Sequence, residues 1–192
     1  MKKLIFATHN QNKVQEVKAV FEDYSIASLA DLGYHQDIAE TENTFVGNAL
    51  LKARHVFEVF KTHVFADDSG LEVTALNGAP GVYSARYAGE EKNHDKNNAK
   101  LLVELASESS RAAQFKTVIA YKDATTEMTF EGIVNGFISE KPTGSGGFGY
   151  DPLFIPEGYD KTFAALPNEV KLRLSHRSRA VAKLYRYLKS LT

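Results

Sequence analysis

The feature that most restricts the fold is a long hairpin in the middle of the chain. Phe115, Thr117, Ile119 and Tyr121 alternate with polar or small residues, and Met128, Phe130 and Gly132 do so after Asp123-Ala124-Thr125. A period of two marks half-buried strands, and a short polar turn between two of them makes the pair antiparallel. Strand-like and helical runs alternate around it. Lys3 to Ala7 reads as a buried first strand, and Val14, Val17, Val20 and Phe21 then fall at helical spacing. Phe45, Ala49, Ala53, Val56, Phe57 and Phe60 predict an amphipathic helix from about residue 44 to 61. Val64–Ala66 and Leu71–Leu76 read as two strands, and Leu153–Ile155 as another. Ala99, Leu102, Val103 and Ala106 mark a third helix, and Val181, Leu184, Tyr185, Leu188 and Leu191 a C-terminal one. Interspersed helices and strands with one antiparallel pair predict an α/β protein with a mixed sheet.

With 192 residues, 43% of them hydrophobic, and no repeat or linker, residues 1–192 are expected to form a single domain. The absence of cysteine excludes a thiolate nucleophile, a disulfide framework and Cys-ligated metal. The 23 basic side chains nearly balance 24 acidic ones, so no global field favours a nucleic-acid partner. No run approaches the roughly 20 apolar residues that span a membrane. Leu4 to Ala7 is too short for a signal-peptide core, so the expectation is a cytoplasmic protein with no membrane partner.

Several common nucleotide motifs fail. Gly144-Ser145-Gly146-Gly147-Phe148-Gly149 satisfies G-x-G-x-x-G, but a strand-like run follows it rather than a helix, so it is not a dinucleotide fingerprint. There is no P-loop, no G-x-S-x-G and no H-E-x-x-H. Other segments are more informative. Asp67-Asp68-Ser69-Gly70 reads either as a turn or as an oxygen-ligand site for Mg²⁺, with Glu40 as a second possible ligand. Thr8-His9-Asn10-Gln11-Asn12-Lys13 joins a strand to a helix, where backbone N–H groups and the helix dipole favour an anion. Lys52, on the second helix, reads as a surface lysine. Lys171, Arg173, His176 and Arg177 read as a basic approach to a helix capped by Ser175, or as donors to a carbonyl-bearing ligand.

Taken in order, these segments resemble the inosine/xanthosine triphosphate pyrophosphatase family over essentially the whole chain. The resemblance rests on Thr8-x-Asn10-x-x-Lys13, Glu40-Thr41, Thr44-Phe45-x-x-Asn48-Ala49-x-x-Lys52-Ala53, Ala66-Asp67-Asp68-Ser69-Gly70-Leu71, the stretch Gly78 to Tyr87, Gly147 to Pro152, and Ser175-His176-Arg177. The chain departs from the family pattern at Glu42, usually glycine, at Gly47, often glutamate, at Val170 and Leu172, and at Ser178.

The resemblance implies an elongated mixed sheet with flanking helices, in two intertwined lobes around a central substrate cleft, and a homodimer. It implies Mg²⁺-dependent hydrolysis of ITP, dITP or XTP to the monophosphate and pyrophosphate, which clears non-standard purines from the nucleotide pool. Glu40 and Asp68 would hold the metal, with Asp68 also the general base. Thr8, His9, Asn10, Gln11, Asn12, Lys13 and Lys52 would bind the phosphate side, and Ser69 would assist in holding substrate. Phe148 would stack on the purine, Gly149, Tyr150 and Asp151 would shape the pocket, and Lys171, His176 and Arg177 would donate to its keto oxygens. The rival readings are a nucleotide hydrolase of other specificity and a non-enzymatic nucleotide or nucleic-acid binding module.

Overall fold

The structure is a computed structural model that describes residues 2–21 and 23–191. The expected strand, polar turn and helix open the chain: β1 (Lys2–Phe6) leads into α1 (Gln11–Lys18). Asn10 caps this helix, its side chain accepting the N–H groups of Asn12 and Lys13. Then come β2 (Tyr24–Ser28), α2 (Phe45–Phe60), β3 (Val64–Val73) and α3 (His94–Glu104). The hairpin consists of β4 (Ala112–Lys122) and β5 (Glu127–Ile138), and the chain ends with β6 (Phe154–Pro156), α4 (Asn168–Leu174) and α5 (His176–Ser190). The six strands form a mixed sheet in the order β2-β1-β3-β4-β5-β6. β1 runs parallel to both β2 and β3, and β5 is antiparallel to β6.

One reading of Asp67-Asp68-Ser69-Gly70 is corrected. These residues do not form a turn between two strands, and the second strand does not reach Leu76: β3 runs unbroken from Val64 to Val73. Turn chemistry gives way because both carboxylates are buried and find cationic partners, as described below. β2 and α4 are additional elements.

The chain divides into two compact units. The first comprises the chain up to Asp68, Thr117–Gly132 and the chain from Arg177; the second comprises Ser69–Lys116 and Ile133–His176. The first has its own core of Leu4, Phe6, Val14, Val17, Phe65, Ile119, Val181 and Leu184, with the Phe6 and Phe65 rings stacked 4.4 Å apart. The second packs Leu71, Val73, Leu101, Phe115, Val134, Leu153, Phe154 and Phe163, with Phe115 against Phe154 at 4.6 Å. Each fully buried Leu or Phe contributes about 1.5–3 kcal/mol by leaving water.

β6 is only three residues long, and it is held against β5 where Gly136 pairs with Pro156. A Cβ on Gly136 would lie 2.2 Å from the Ile155 carbonyl oxygen, which is backbone and cannot swing aside. Gly136→Ala should therefore lower stability by about 1–3 kcal/mol, the usual cost of overpacking. Urea unfolding measures it, and an unchanged midpoint would mean that the strand pair tolerates a wider spacing.

Candidate functional site

β3 presents two adjacent carboxylates, and consecutive side chains on a strand point to opposite faces. They meet different surroundings. Asp67, 1% exposed, accepts from Lys13 Nζ at 3.0 Å and from Arg177 Nε at 3.1 Å. Arg177 Nη1 also pairs with Glu16 of α1, itself buried. Burial alone would raise the Asp67 carboxyl, but Lys13, Arg177 and Lys52 outweigh it and hold the group well below the usual carboxylate range. Burial moves Lys13 the other way, and despite Asp67 its ammonium sits below its ordinary value.

Asp68 faces α2. It accepts from Asn48 Nδ2 at 3.0 Å and lies 3.7 Å from Lys52 Nζ, which donates to Glu40 at 2.7 Å. Asn48 and Lys52 are four residues apart, so one face of α2 delivers both. Burial pushes the Asp68 carboxyl up and the charge of Glu40 adds to this, against Lys52 and Lys13. Glu40 and Asp68 thus converge on a single cationic centre, as two ligands of one metal ion must. Among the described residues, no cluster of three or more His, Asp or Glu side chains offers a complete metal site. Two carboxylates suit Mg²⁺, which commonly takes one or two from the protein and the rest from phosphate oxygens and water.

Of the remaining residues expected to hold substrate, Thr8 to Asn12 lie at the start of α1 and Ser69 lies on β3. Thr8 Oγ1 accepts the Asn10 N–H at 3.2 Å, and His9 Nε2 is 3.2 Å from the Gln36 carbonyl. Gln11 and Asn12 are exposed, and Ser69 is half-buried. Since Asn10 already caps the N–H groups of Asn12 and Lys13, an anion there would exchange with that cap.

The second unit builds a separate constellation around Asp151, 3% exposed. Asp151 Oδ2 accepts both the Phe148 N–H and Lys171 Nζ, each at 2.7 Å. The Lys171 ammonium also lies 4.6 Å from the Phe148 ring centroid, a cation–π contact. Gly147 has φ +71°, and a Cβ there would come within 2.1 Å of Asp151 Oδ2. Tyr150 is buried, its hydroxyl donating to the Ser84 carbonyl at 2.9 Å. His176 lies flat on Phe115, with centroids 4.7 Å apart.

Of the expected site residues, the first unit brings together Glu40, Lys52 and Asp68, and likewise Lys13, Asp67 and Arg177. The second brings together Phe148, Asp151 and Lys171. His176 and Arg177 are neighbours in sequence but turn to different surroundings, and geometry makes Arg177 the counter-charge of Asp67. Sequence reasoning missed Asn48 and Glu16 as members of these networks. The i, i+4 spacing of Asn48 and Lys52 was the available signal for the first. Glu16 lies three residues after Lys13 on α1, but nothing local distinguishes it from a surface acid. Two departures from the family pattern are also physically linked. A Cβ on Gly47 would meet Glu42 Cβ at 2.7 Å, so the glycine makes room for the glutamate.

A family model described as the Ham1 family matches residues 4–187. The chain is 51% identical to the dITP/XTP pyrophosphatase of Flavobacterium johnsoniae over 183 residues, 95% of each chain. It is 50% identical to that of Porphyromonas gingivalis over 190 residues, 98% of each. Among solved structures, the Ham1 protein of Staphylococcus aureus superimposes with a TM-score of 0.92 at 42% identity, covering 100% of both chains. A HAM1 protein of Coxiella burnetii gives 0.91 at 36% identity, covering 99% of this chain and 100% of that one.

The two aspartates should separate in stability. Asp67→Asn leaves Lys13 and Arg177 buried without their shared anion, which should cost about 3–5 kcal/mol at neutral pH. A depressed carboxyl stabilises the fold above its unfolded value of about 3.9, and that stability drains as pH falls below it, so the deficit should shrink in acid. Asp68→Asn should cost far less, because the fold opposes ionisation there. Urea unfolding of both variants across pH checks this, and equal losses would contradict it.

Proposed function

This chain belongs to the Ham1 family, and we propose that it hydrolyses non-standard purine nucleoside triphosphates, dITP, ITP and XTP, to the monophosphate and pyrophosphate. The observation that carries the reading is the inequality of the two β3 carboxylates. One is locked in a structural ion pair, while the other has a raised affinity for protons and shares a cation with Glu40. The names of the relatives support the substrate class.

In this proposal Glu40 and Asp68 would hold Mg²⁺, which would supply charge neutralisation along the triphosphate. Lys52 leaves its carboxylate partners for the phosphate chain, and Lys13 and the start of α1 add positive potential. Asp68 accepts a proton from the attacking water. The water oxygen bonds to the α-phosphorus as the bond to the bridging oxygen breaks, and pyrophosphate leaves. Asn48 holds the Asp68 carboxylate in direction through its Nδ2.

The second unit supplies purine recognition. Phe148 stacks on the base, with Gly149, Tyr150 and Asp151 shaping the loop around it. Lys171 and His176 donate to the keto oxygen at position 6. Lysine can only donate, and the amino group of adenine offers no acceptor in that position. Arg177 enters as the group that fixes Asp67. A cytoplasmic enzyme working as a pair of identical chains belongs to the same proposal.

The test is a panel of ITP, dITP, XTP, GTP and ATP with Mg²⁺, scored by pyrophosphate release. Two unmatched donors predict a preference for ITP over ATP of about 10²–10⁴ in kcat/KM. Asp68→Asn should lower kcat by about 10²–10⁴, the usual share of a general base. Orthophosphate as the product, or near wild-type turnover by Asp68→Asn, would overturn the reading.

A further inference from the structure

None of the motifs that carry the resemblance includes α3, yet this helix grips the loop that carries Phe148. Gly149 follows Phe148, and its two backbone groups are both held by α3. Its N–H donates to His94 Nδ1 at 3.2 Å, and its carbonyl accepts from Asn98 Nδ2 at 3.1 Å. His94 and Asn98 are four residues apart and share a helix face, so one straight element spans a single residue of the loop. The amide orientation of Asn98 follows from this contact, since the reverse would set two oxygens against each other. Asn98 is 6% exposed, and among the described residues its Oδ1 accepts no hydrogen bond. The fold bears an unmet buried acceptor there in order to present the donor.

The grip has a rigid base. Asn97, next on the helix, donates to the Ala85 carbonyl at 3.0 Å and accepts the Ala88 N–H at 2.7 Å. These bonds fix α3 to the segment Gly81–Arg86, whose Ser84 Oγ accepts the Leu71 N–H of β3 at 2.9 Å. The held loop, in contrast, has a backbone that needs holding. Gly149 has φ +64°, and a Cβ there would meet nothing within 4 Å, so the glycine serves backbone handedness rather than space. Phe148 therefore stands between two left-handed glycines. Its direction is set by its own N–H to Asp151 on one side and by α3 on the other.

We propose that His94 and Asn98 are positioning residues for purine recognition: by clamping Gly149 they hold the Phe148 ring in its stacking orientation. They set affinity for the base and leave the phosphate side unaffected. This inference rests on the proposed reading of Phe148 as the purine platform.

Two probes separate the effects: inosine monophosphate, which carries a base, and inorganic tripolyphosphate, which does not. Calorimetry on the full chain should show that His94→Ala and Asn98→Ala each weaken inosine monophosphate about tenfold, the equivalent of one hydrogen bond. Inhibition by tripolyphosphate should be unchanged. His94→Asn should restore binding, because Asn Oδ1 can stand where His Nδ1 accepts. In a Phe148→Ala background the further loss on Asn98→Ala should vanish, since the clamp acts through that ring. His94 is exposed, so its variants test the idea even if Asn98→Ala unfolds. Unchanged inosine monophosphate affinity, an equal loss for tripolyphosphate, or additive losses with Phe148→Ala would overturn the inference while the functional reading stands. A wild-type chain that releases no pyrophosphate from any triphosphate overturns both.

Discussion

The interaction on which the first unit depends is the buried ion cluster of Asp67, Lys13, Arg177 and Glu16. It ties β3 to the start of α1 and the start of α5, elements far apart in sequence. Two acids and two bases are present, so the cluster is neutral as a set, which is the condition for burying charge at tolerable cost. Its members support one another. Arg177 holds the second oxygen of Asp67 while Lys13 holds the first, and Glu16 returns the charge that Arg177 would otherwise leave uncompensated. The loss of any one exposes the others to a low-dielectric surrounding, which is why a surface-like sequence of charges here behaves as core.

The rest of the site follows from that cluster by strand geometry. Once Asp67 is committed to one face of β3, Asp68 must face the other. There it meets α2, whose Asn48 and Lys52 hold it, and Lys52 in turn holds Glu40. The same dipeptide thus contains a carboxylate kept ionised by cations and a carboxylate whose ionisation burial resists. Identical chemistry in two environments yields two roles. The purine side is built on different terms: a loop of glycines wraps one buried carboxylate, and hydrogen bonds to the loop's backbone fix the direction of an aromatic ring.

Much of this was legible in the sequence, wherever the signal was local. The hairpin, the α2 face and the strand-to-helix step at Asn10 were readable because their periodicity or capping residues lie within a few positions. Asp67-Asp68-Ser69-Gly70 was open to two readings because local preferences favour a turn. The partners that make it strand lie 54 and 110 residues away, at Lys13 and Arg177. Arg177 reads as a ligand donor from its place beside a histidine, and nothing local announces its additional contact with a carboxylate on a distant strand. β2 escaped because Ser25, Ala27 and Ser28 dilute the apolar alternation around Ile26. Asn48 stood in a recognised motif without a role, and only its contact with Asp68 supplies one.

The central claim is that neighbouring aspartates on one strand differ in their hold on the proton. Carbon-13 NMR titration of the two side-chain carboxyl carbons measures this directly. The account predicts that Asp68 protonates above the ordinary aspartate value of about 3.9 while Asp67 remains ionised well below it. Coincident titration of both near that value, or protonation of Asp67 first, would contradict it.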